Sequence, residues 1–343
     1  MVLANGSVSK RGEDQNKAAR LRLKNKIDLS NRMISPRALG HNKFLVICGS
    51  DRKPRWTWTG SQNWTKTGLC TQANNSVLID DPTIADEYRK QWELLKNAHN
   101  ETPDALKTSN GQPRDTDVGN APLRLWFTPT VGQVDLAEAR TIIEGAQHSI
   151  LFLMFNPGPK DTLLNKIIDR ARAGQAGKQL YIHGAINQDP STKKNNVELF
   201  DRANWVKADY EVVLPAQIDA ATKWFVRELL KLPKARAMVH SKVVLVDALS
   251  DHPIVLTGSH NLGPKASATN DENLLIIRES PGLAGAYATN IMSVYNQYRW
   301  RFRRHAQSKS RRWDGLEDGD AWQKGYLKEG STALREIEFW VGN

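Results

Sequence analysis

Four short strings hold the side chains with the greatest chemical capacity: GHNKFLVIC from Gly40, TGSQNW from Thr59, VHSKVVLVD from Val239 and TGSHNL from Thr257. On an extended strand the period of two sends His240 and Lys242 to one face, about one pleat apart. Ser259 and Asn261 stand in the same relation, and Gly258 lets the backbone approach closely. The first half repeats the pattern with His41, Lys43, Gly60, Ser61 and Asn63. Such a set is suited to an anion, and specifically to a phosphodiester held between two halves. Lys43 and Lys242 would neutralise the non-bridging oxygens. Asn63, Asn261, Ser61 and Ser259 would supply directional hydrogen bonds, and one imidazole would attack phosphorus while the other protonates the departing oxygen.

The elements that position these residues form an internal repeat. KFLVIC, WTWTGSQN, NNSVLIDD and a helical stretch from Thr83 to Lys96 recur, in the same order, as KVVLVD, IVLTGSHN, NDENLLIIRE and a helical stretch from Leu283 to Phe302. The short β-branched runs read as buried strands. Ile84, Tyr88 and Trp92, like Leu283, Tyr287 and Ile291, recur every four residues and give each closing helix an apolar stripe for the sheet. Before its motif the second half also has a strand (Leu123 to Phe127), a helix (Asp135 to Ala146), a strand (Ser149 to Phe155), a helix (Asp161 to Ala173) and a strand (Gln179 to Ala185). That alternation predicts an α/β layered domain with a mostly parallel or mixed sheet. The first half lacks such a lead-in, so its lobe is either reduced or N-terminally shortened.

The expected divisions are a basic N-terminal arm (1–33), a reduced first lobe (34–97), a polar linker (98–121), a complete second lobe (122–303) and a basic, aromatic C-terminal extension (304–343). No apolar run approaches the roughly 20 residues that cross a bilayer, and the N-terminus carries no secretory signal. The two cysteines, Cys48 and Cys70, exclude a disulfide scaffold and a multi-cysteine zinc site. No metal or other cofactor is expected. Cys48 reads as a buried strand residue. The net charge of +11 implies an anionic partner. The excess lies in the N-terminal arm and in RWRFRRHAQSKSRR from Arg299, each of which fits a solvated face as well as a binding surface. Trp56, Trp58 and Trp64, around the first GSQN, read as packing, with the wall of an acyl- or base-binding cleft as the other reading.

HSKVVLVD followed by GSHN resembles the HxKxxxxD…GSxN signature of the phospholipase D superfamily, and HNKFLVIC followed by GSQN is a second, slightly degenerate copy. The resemblance implies an α/β/α layered sandwich with two pseudo-repeated lobes and a metal-independent ping-pong reaction where they meet. It further implies His41 as nucleophile forming a phosphohistidine, His240 as general acid and then base, and Lys43, Lys242, Asn63 and Asn261 as phosphoryl ligands assisted by Ser61 and Ser259. The motif aspartate is Asp247 in the second copy, a supporting residue in the family, and Cys48 in the first. The acidic residue after GSxN is Glu272, opposite Asn74 in the first half. A carboxylate fixes the tautomer of an imidazole that donates to it and raises its basicity. Glu272 is therefore expected to reach across to His41.

Three functions fit this reading. The first is a phospholipase D-like phosphodiesterase that hydrolyses a phospholipid headgroup bond, with transfer to alcohols and peripheral membrane contact. The second is a metal-independent nuclease, which the basic ends would suit. The third is an inactive anion-binding remnant, suggested by the reduced lobe, Cys48 and Asn74.

Overall fold

The computed structural model describes residues 1–6, 14–173, 180–187, 190–194, 210–213, 238–306 and 318–342. The basic stretches 7–13 and 307–317 lie outside the described residues. In chain order, β1 (Val2–Ala4) and β2 (Ser30–Arg32) pair in parallel. β3 (Phe44–Cys48), β4 (Pro54–Gly60), β5 (Gln72–Ala73) and β6 (Ser76–Asp80) follow, with β3-β4-β6 forming a three-stranded antiparallel sheet. The second part supplies β7 (Arg114–Val118), β8 (Ala121–Thr128), β9 (Ser149–Met154), β10 (Tyr181–Ile186), β11 (Tyr210–Val213), β12 (Met238–Val239), β13 (Lys242–Val246), β14 (Ile254–Gly258) and β15 (Glu272–Arg278). Eight of these strands make one mixed sheet in the order β11-β10-β9-β13-β14-β15-β8-β7, parallel from β11 to β9 and antiparallel beyond.

This is the expected mixed α/β fold around a large central sheet. Side chains of the second lobe alternate between two apolar layers. Val244, Val246, Leu256 and Ile276 face helices Val134–Glu144 and Leu163–Ala173, while Val243, Leu245, Val255 and Leu275 face helix Pro281–Ala306. Helix Pro82–Asn97 plays the matching part for the small sheet. Asp81 caps it by accepting the Ile84 N–H at 2.8 Å, Pro82 opens it, and Ile84, Tyr88 and Leu95 are buried. Tyr88 stacks edge-on with Phe127 of β8, and both belong to one apolar cluster with Val77, Ile79, Val243, Leu275, Tyr287 and Tyr295. The two lobes thus share a core.

The first lobe has no second layer among the described residues. Leu45 aligns with Trp58 and Trp58 with Leu78 in the same register in which Val244 aligns with Leu256 and Leu256 with Ile276. In the second lobe that row lies under two helices. In the first, Leu45 is 43% and Leu78 64% exposed. Trp64 is exposed as well and meets Trp58 edge-on, so the packing reading does not hold for Trp64. Cys48, expected to be buried, is exposed at the end of the edge strand β3, where the pairing with β4 shifts register after Ile47.

Residues 98–121, expected as a linker, contain helix Asp104–Asn110 and β7, the edge of the large sheet. An edge strand with one side in water can be as polar as a linker, and Asp115 of β7 is held by Arg124 Nε at 2.6 Å. Arg32, placed by sequence in a basic arm, is fully buried. At the other end, helix Thr332–Val341 docks on the second lobe: Phe339 stacks on Tyr181, Trp340 Nε1 donates to the Tyr181 hydroxyl at 3.3 Å, and Arg299 pairs with Glu336 at 3.0 Å. No described helix is long and apolar enough to cross a membrane.

Candidate active site

The site forms where the first residues of β3 and β13 face each other across the lobes. Each motif strand is entered by a backbone hydrogen bond from the opposite repeat unit. The His41 N–H donates to the Asp271 carbonyl at 3.0 Å, and the His240 N–H to the Ala73 carbonyl at 2.9 Å. The short pairing of β12 with β5 and an isolated bridge between Gly40 and Asp271 extend these two contacts. Within each lobe a threonine closes the motif: Thr59 Oγ1 donates to the Lys43 carbonyl at 3.0 Å, and Thr257 Oγ1 to the Lys242 carbonyl at 3.1 Å.

The two repeated Gly–Ser turns have a steric cause. A Cβ on Gly60 would lie 2.3 Å from the Asn75 carbonyl oxygen, and one on Gly258, at φ +138°, 2.4 Å from that of Asn273. Ser61 and Ser259 were expected to touch substrate. Both are wholly buried, and their hydroxyls accept the N–H of Asn75 and of Asn273, each at 3.0 Å, so they brace the following strand. Asn75 and Asn273 then cross between lobes. Asn75 Oδ1 accepts the Lys242 N–H at 2.9 Å while its Nδ2 donates to Thr257 Oγ1 at 2.6 Å. Asn273 Oδ1 accepts from the Tyr88 hydroxyl at 3.2 Å and lies 3.0 Å from Thr59 Oγ1.

His41 and His240 have different partners. His41 Nδ1 lies 2.6 Å from Glu272 Oε2, the contact expected across the interface. Glu272 is fully buried, and its other oxygen accepts from Asn270 Nδ2 at 3.3 Å. His240 Nδ1 lies 2.8 Å from Asn74 Oδ1. Asn74 Nδ2 is engaged with the carbonyls of Gly68 at 2.9 Å and Gln72 at 3.4 Å, so its oxygen must face the ring and His240 Nδ1 must donate. In both imidazoles Nδ1 carries the proton and Nε2 is left for chemistry. Asn63 Nδ2 stands 3.4 Å from His240 Nε2. Asn261, in the loop after β14, has a buried Oδ1 without a hydrogen-bond partner among the described residues.

The electrostatics favour neutral imidazoles beside cations. Burial lowers His41 to about 4; Glu272 opposes this, while Lys43 and Lys242 add to it. Burial, then Lys242, Lys43 and His41, lowers His240 to about 2. Both lysines act on both rings, which places all four groups in one cluster. Burial brings Lys43 down to about 8, and it holds Lys242 well below the usual ammonium range, with Lys43 adding to that and Glu272 opposing. Burial works against ionisation of Glu272, but His41 and Lys43 prevail and hold its carboxyl below the usual range. Lys43 Nζ donates to the His41 carbonyl at 2.5 Å and Lys242 Nζ to the His240 carbonyl at 2.9 Å. An arriving anion supplies the charge these ammonium groups lack.

Asp247 lies away from this cluster. It accepts the N–H groups of Gln147, His148 and Ser149, the closest at 2.7 Å, and so anchors the start of β9. It is a supporting residue because β9 lies beside β13. The corresponding side of β3 has no strand among the described residues, so Cys48 has no backbone of that kind to hold. Two residues outside the predicted set also shape the site. Phe155 sets its ring 4.5 Å from the His240 ring and 5.1 Å from Lys242 Nζ. His260, inside GSHN, is buried with Nε2 3.2 Å from Asp135, which also accepts from Thr130 Oγ1 at 2.7 Å, so the loop carrying Asn261 is anchored from behind.

A family profile described as cardiolipin synthase, PLD-like domain, matches residues 3–95 and 140–297. The chain belongs to this phospholipase D-like family. Members of the superfamily act on phosphodiesters, and the two-lobed site matches that reach: both segments of the family match contribute to it. No curated protein matches the chain. Among solved structures, Nuc from Salmonella typhimurium is 18% identical, covers 52% of this chain and 96% of its own, and has a TM-score of 0.35. NucT from Helicobacter pylori is 16% identical, covers 53% and 98%, and has a TM-score of 0.35. A phosphatidylserine synthase from Haemophilus influenzae Rd KW20 is 12% identical, covers 84% of this chain and 68% of its own, and has a TM-score of 0.49.

Proposed function

We propose that this phospholipase D-like protein hydrolyses a phospholipid phosphodiester through a phosphohistidine on His41. The observation that carries the reading is the Glu272–His41 contact at 2.6 Å. When His41 Nε2 attacks phosphorus with Nδ1 still protonated, the ring becomes cationic, and the buried carboxylate offsets that charge; an asparagine does so far less. Lys43 and Lys242 balance the non-bridging oxygens as negative charge builds up. The P–O bond to the leaving group breaks as His240 Nε2 gives it a proton. Water then attacks phosphorus, His240 Nε2 takes the water's proton, and the P–N bond breaks to restore His41. An alcohol in place of water gives transphosphatidylation.

His240 is neutral in the site as it stands. Burial and then the lysines keep the proton off; a phosphodiester anion between the two lysines offsets their repulsion, and the ring takes up a proton from solvent on Nε2 before it acts as an acid. The net charge of +11 favours nucleic acid as the competing substrate class. Choline release from phosphatidylcholine vesicles and degradation of single-stranded DNA, both in chelator, separate the two. An acid-labile phosphoryl group on the wild type that disappears in His41→Ala supports the nucleophile assignment. Its persistence in His41→Ala and loss in His240→Ala reverses it. Inertness toward both substrates leaves the anion-binding remnant.

A further inference from the structure

The carboxylate next to Glu272 is braced by a residue from the far end of the chain. Asp271 is fully buried, and Arg32 of β2, 1% exposed, grips both its oxygens: Nε to Oδ2 at 2.8 Å and Nη2 to Oδ1 at 3.0 Å. The remaining guanidinium nitrogen, Nη1, donates to the carbonyls of His99 at 2.8 Å and Glu101 at 2.6 Å. Asp271 in turn holds the entry to the first motif. Its N–H donates to the Leu39 carbonyl at 2.9 Å and its carbonyl accepts the His41 N–H at 3.0 Å. The preceding residue, Asn270, accepts the Leu39 N–H at 3.1 Å and donates to Glu272 at 3.3 Å.

Burying such an ion pair is a poor way to gain stability, because desolvation of both charges offsets most of their attraction. Its value lies in geometry, since a bidentate guanidinium–carboxylate pair fixes position in two dimensions. The brace is also one-sided. In the other half the residue whose carbonyl receives the His240 N–H is Ala73, which has no carboxylate to grip.

We propose that Arg32 is a positioning residue for His41, holding Asp271 so that the Asp271 carbonyl and the Glu272 carboxylate present the imidazole to phosphorus. The proposal rests on the reading of His41 as nucleophile. The groups around the pair are Arg32 and Glu272 about Asp271, and Glu272, Lys43 and Lys242 about His41. Without Arg32, Asp271 either keeps a buried charge next to Glu272 or takes a proton. Both outcomes disturb the carboxylate that His41 depends on.

The test compares full-length wild type, Arg32→Met, Arg32→Lys and the double variant Arg32→Met/Asp271→Asn, with bis(4-nitrophenyl) phosphate as probe. A misplacement of about 1 Å costs on the order of 100-fold in rate. Arg32→Met is therefore expected to lose that much in kcat at nearly constant KM, with the acid limb of the pH profile displaced. Arg32→Lys, which keeps the charge but not the fork, should recover little, and the double variant should restore the acid limb. NMR titration of the His41 ring in each folded variant provides a readout that needs no turnover. If the wild type does not cleave the diester, the proposed function fails while the brace is still tested. An unchanged His41 titration and an unchanged profile in folded Arg32→Met overturn the proposal. So does a loss of activity that only follows the fraction of unfolded protein.

Discussion

Glu272 Oε2 lies 2.6 Å from His41 Nδ1 although 231 positions separate them, and the corresponding partner of His240 is the amide oxygen of Asn74 at 2.8 Å. The two halves of the site therefore differ in charge while matching in shape. Glu272→Gln keeps the shape and removes the charge. It is expected to slow single-turnover phosphohistidine formation by about 100-fold or more, by analogy with the loss of a carboxylate behind a catalytic imidazole. Rapid-quench measurement of the phosphoryl-enzyme checks this, and an unchanged rate would exclude a working role for the contact. Asn74→Asp makes the halves alike and is expected to raise the pKa of His240, readable by NMR.

Lys43 is pushed down to about 8 by burial. Its cationic form, which binds phosphate, is lost as pH rises through that value, so kcat/KM should have an alkaline limb near there. Lys43→Arg replaces it with a group that does not titrate in the range. The variant is expected to lose rate through altered geometry and to lose the limb too. A limb that persists in Lys43→Arg assigns the titration elsewhere.

The imidazoles make stability depend on pH in the opposite range. Burial lowers His41 from 6.5 to about 4 and, with the nearby cations, His240 to about 2. Between about 4 and 6.5 the unfolded chain binds more protons than the native one, so stability rises with pH through that window and is lost on acidification. Urea denaturation at pH 7 and pH 5 should show a lower midpoint at pH 5. His240→Gln, which cannot take up the proton, should reduce the difference.

Asp247 and Cys48 occupy the same motif position and should respond differently to substitution. Asp247→Ala removes the acceptor for the N–H groups of Gln147, His148 and Ser149. Hydrogen bonds to a charged group contribute about 1.5–3 kcal/mol each, so a loss of about 3 kcal/mol or more is expected, with the pH profile of the remaining folded enzyme unchanged. Cys48→Asp, at an exposed edge, should leave the denaturation midpoint within about 0.5 kcal/mol of wild type.

The geometry of the site was legible because HxK and GSxN are local spacings that a strand turns into a shared face, and because their repetition announced two lobes. Glu272 was legible as the charged member of the pair it forms with Asn74, NDEN against QANN. Arg32 was not, since its contact with Asp271 spans 239 positions and leaves no periodicity behind. Phe155 was hidden for a similar reason: it directly follows β9, whose apolar run gives no sign that the next ring turns toward His240. The assignment of Ser61 and Ser259 to substrate followed their motif neighbours, but a hydroxyl directly after a glycine so close to a strand finds a backbone N–H first. Cys48 and Trp64 misled because composition records that a residue is apolar and does not record whether anything packs against it.

The single apolar cluster that joins Tyr88 and Ile84 to Phe127, Leu275 and Tyr287 makes assembly of the site and folding of the chain one event. Tyr88 donates to Asn273 at 3.2 Å, and the Tyr287 hydroxyl accepts from Asn75 at 3.3 Å, so each closing helix serves the other lobe's strand. On the proposed function, two halves stitched in this way would release the leaving group without swinging apart, and residual activity during denaturation should report the whole molecule.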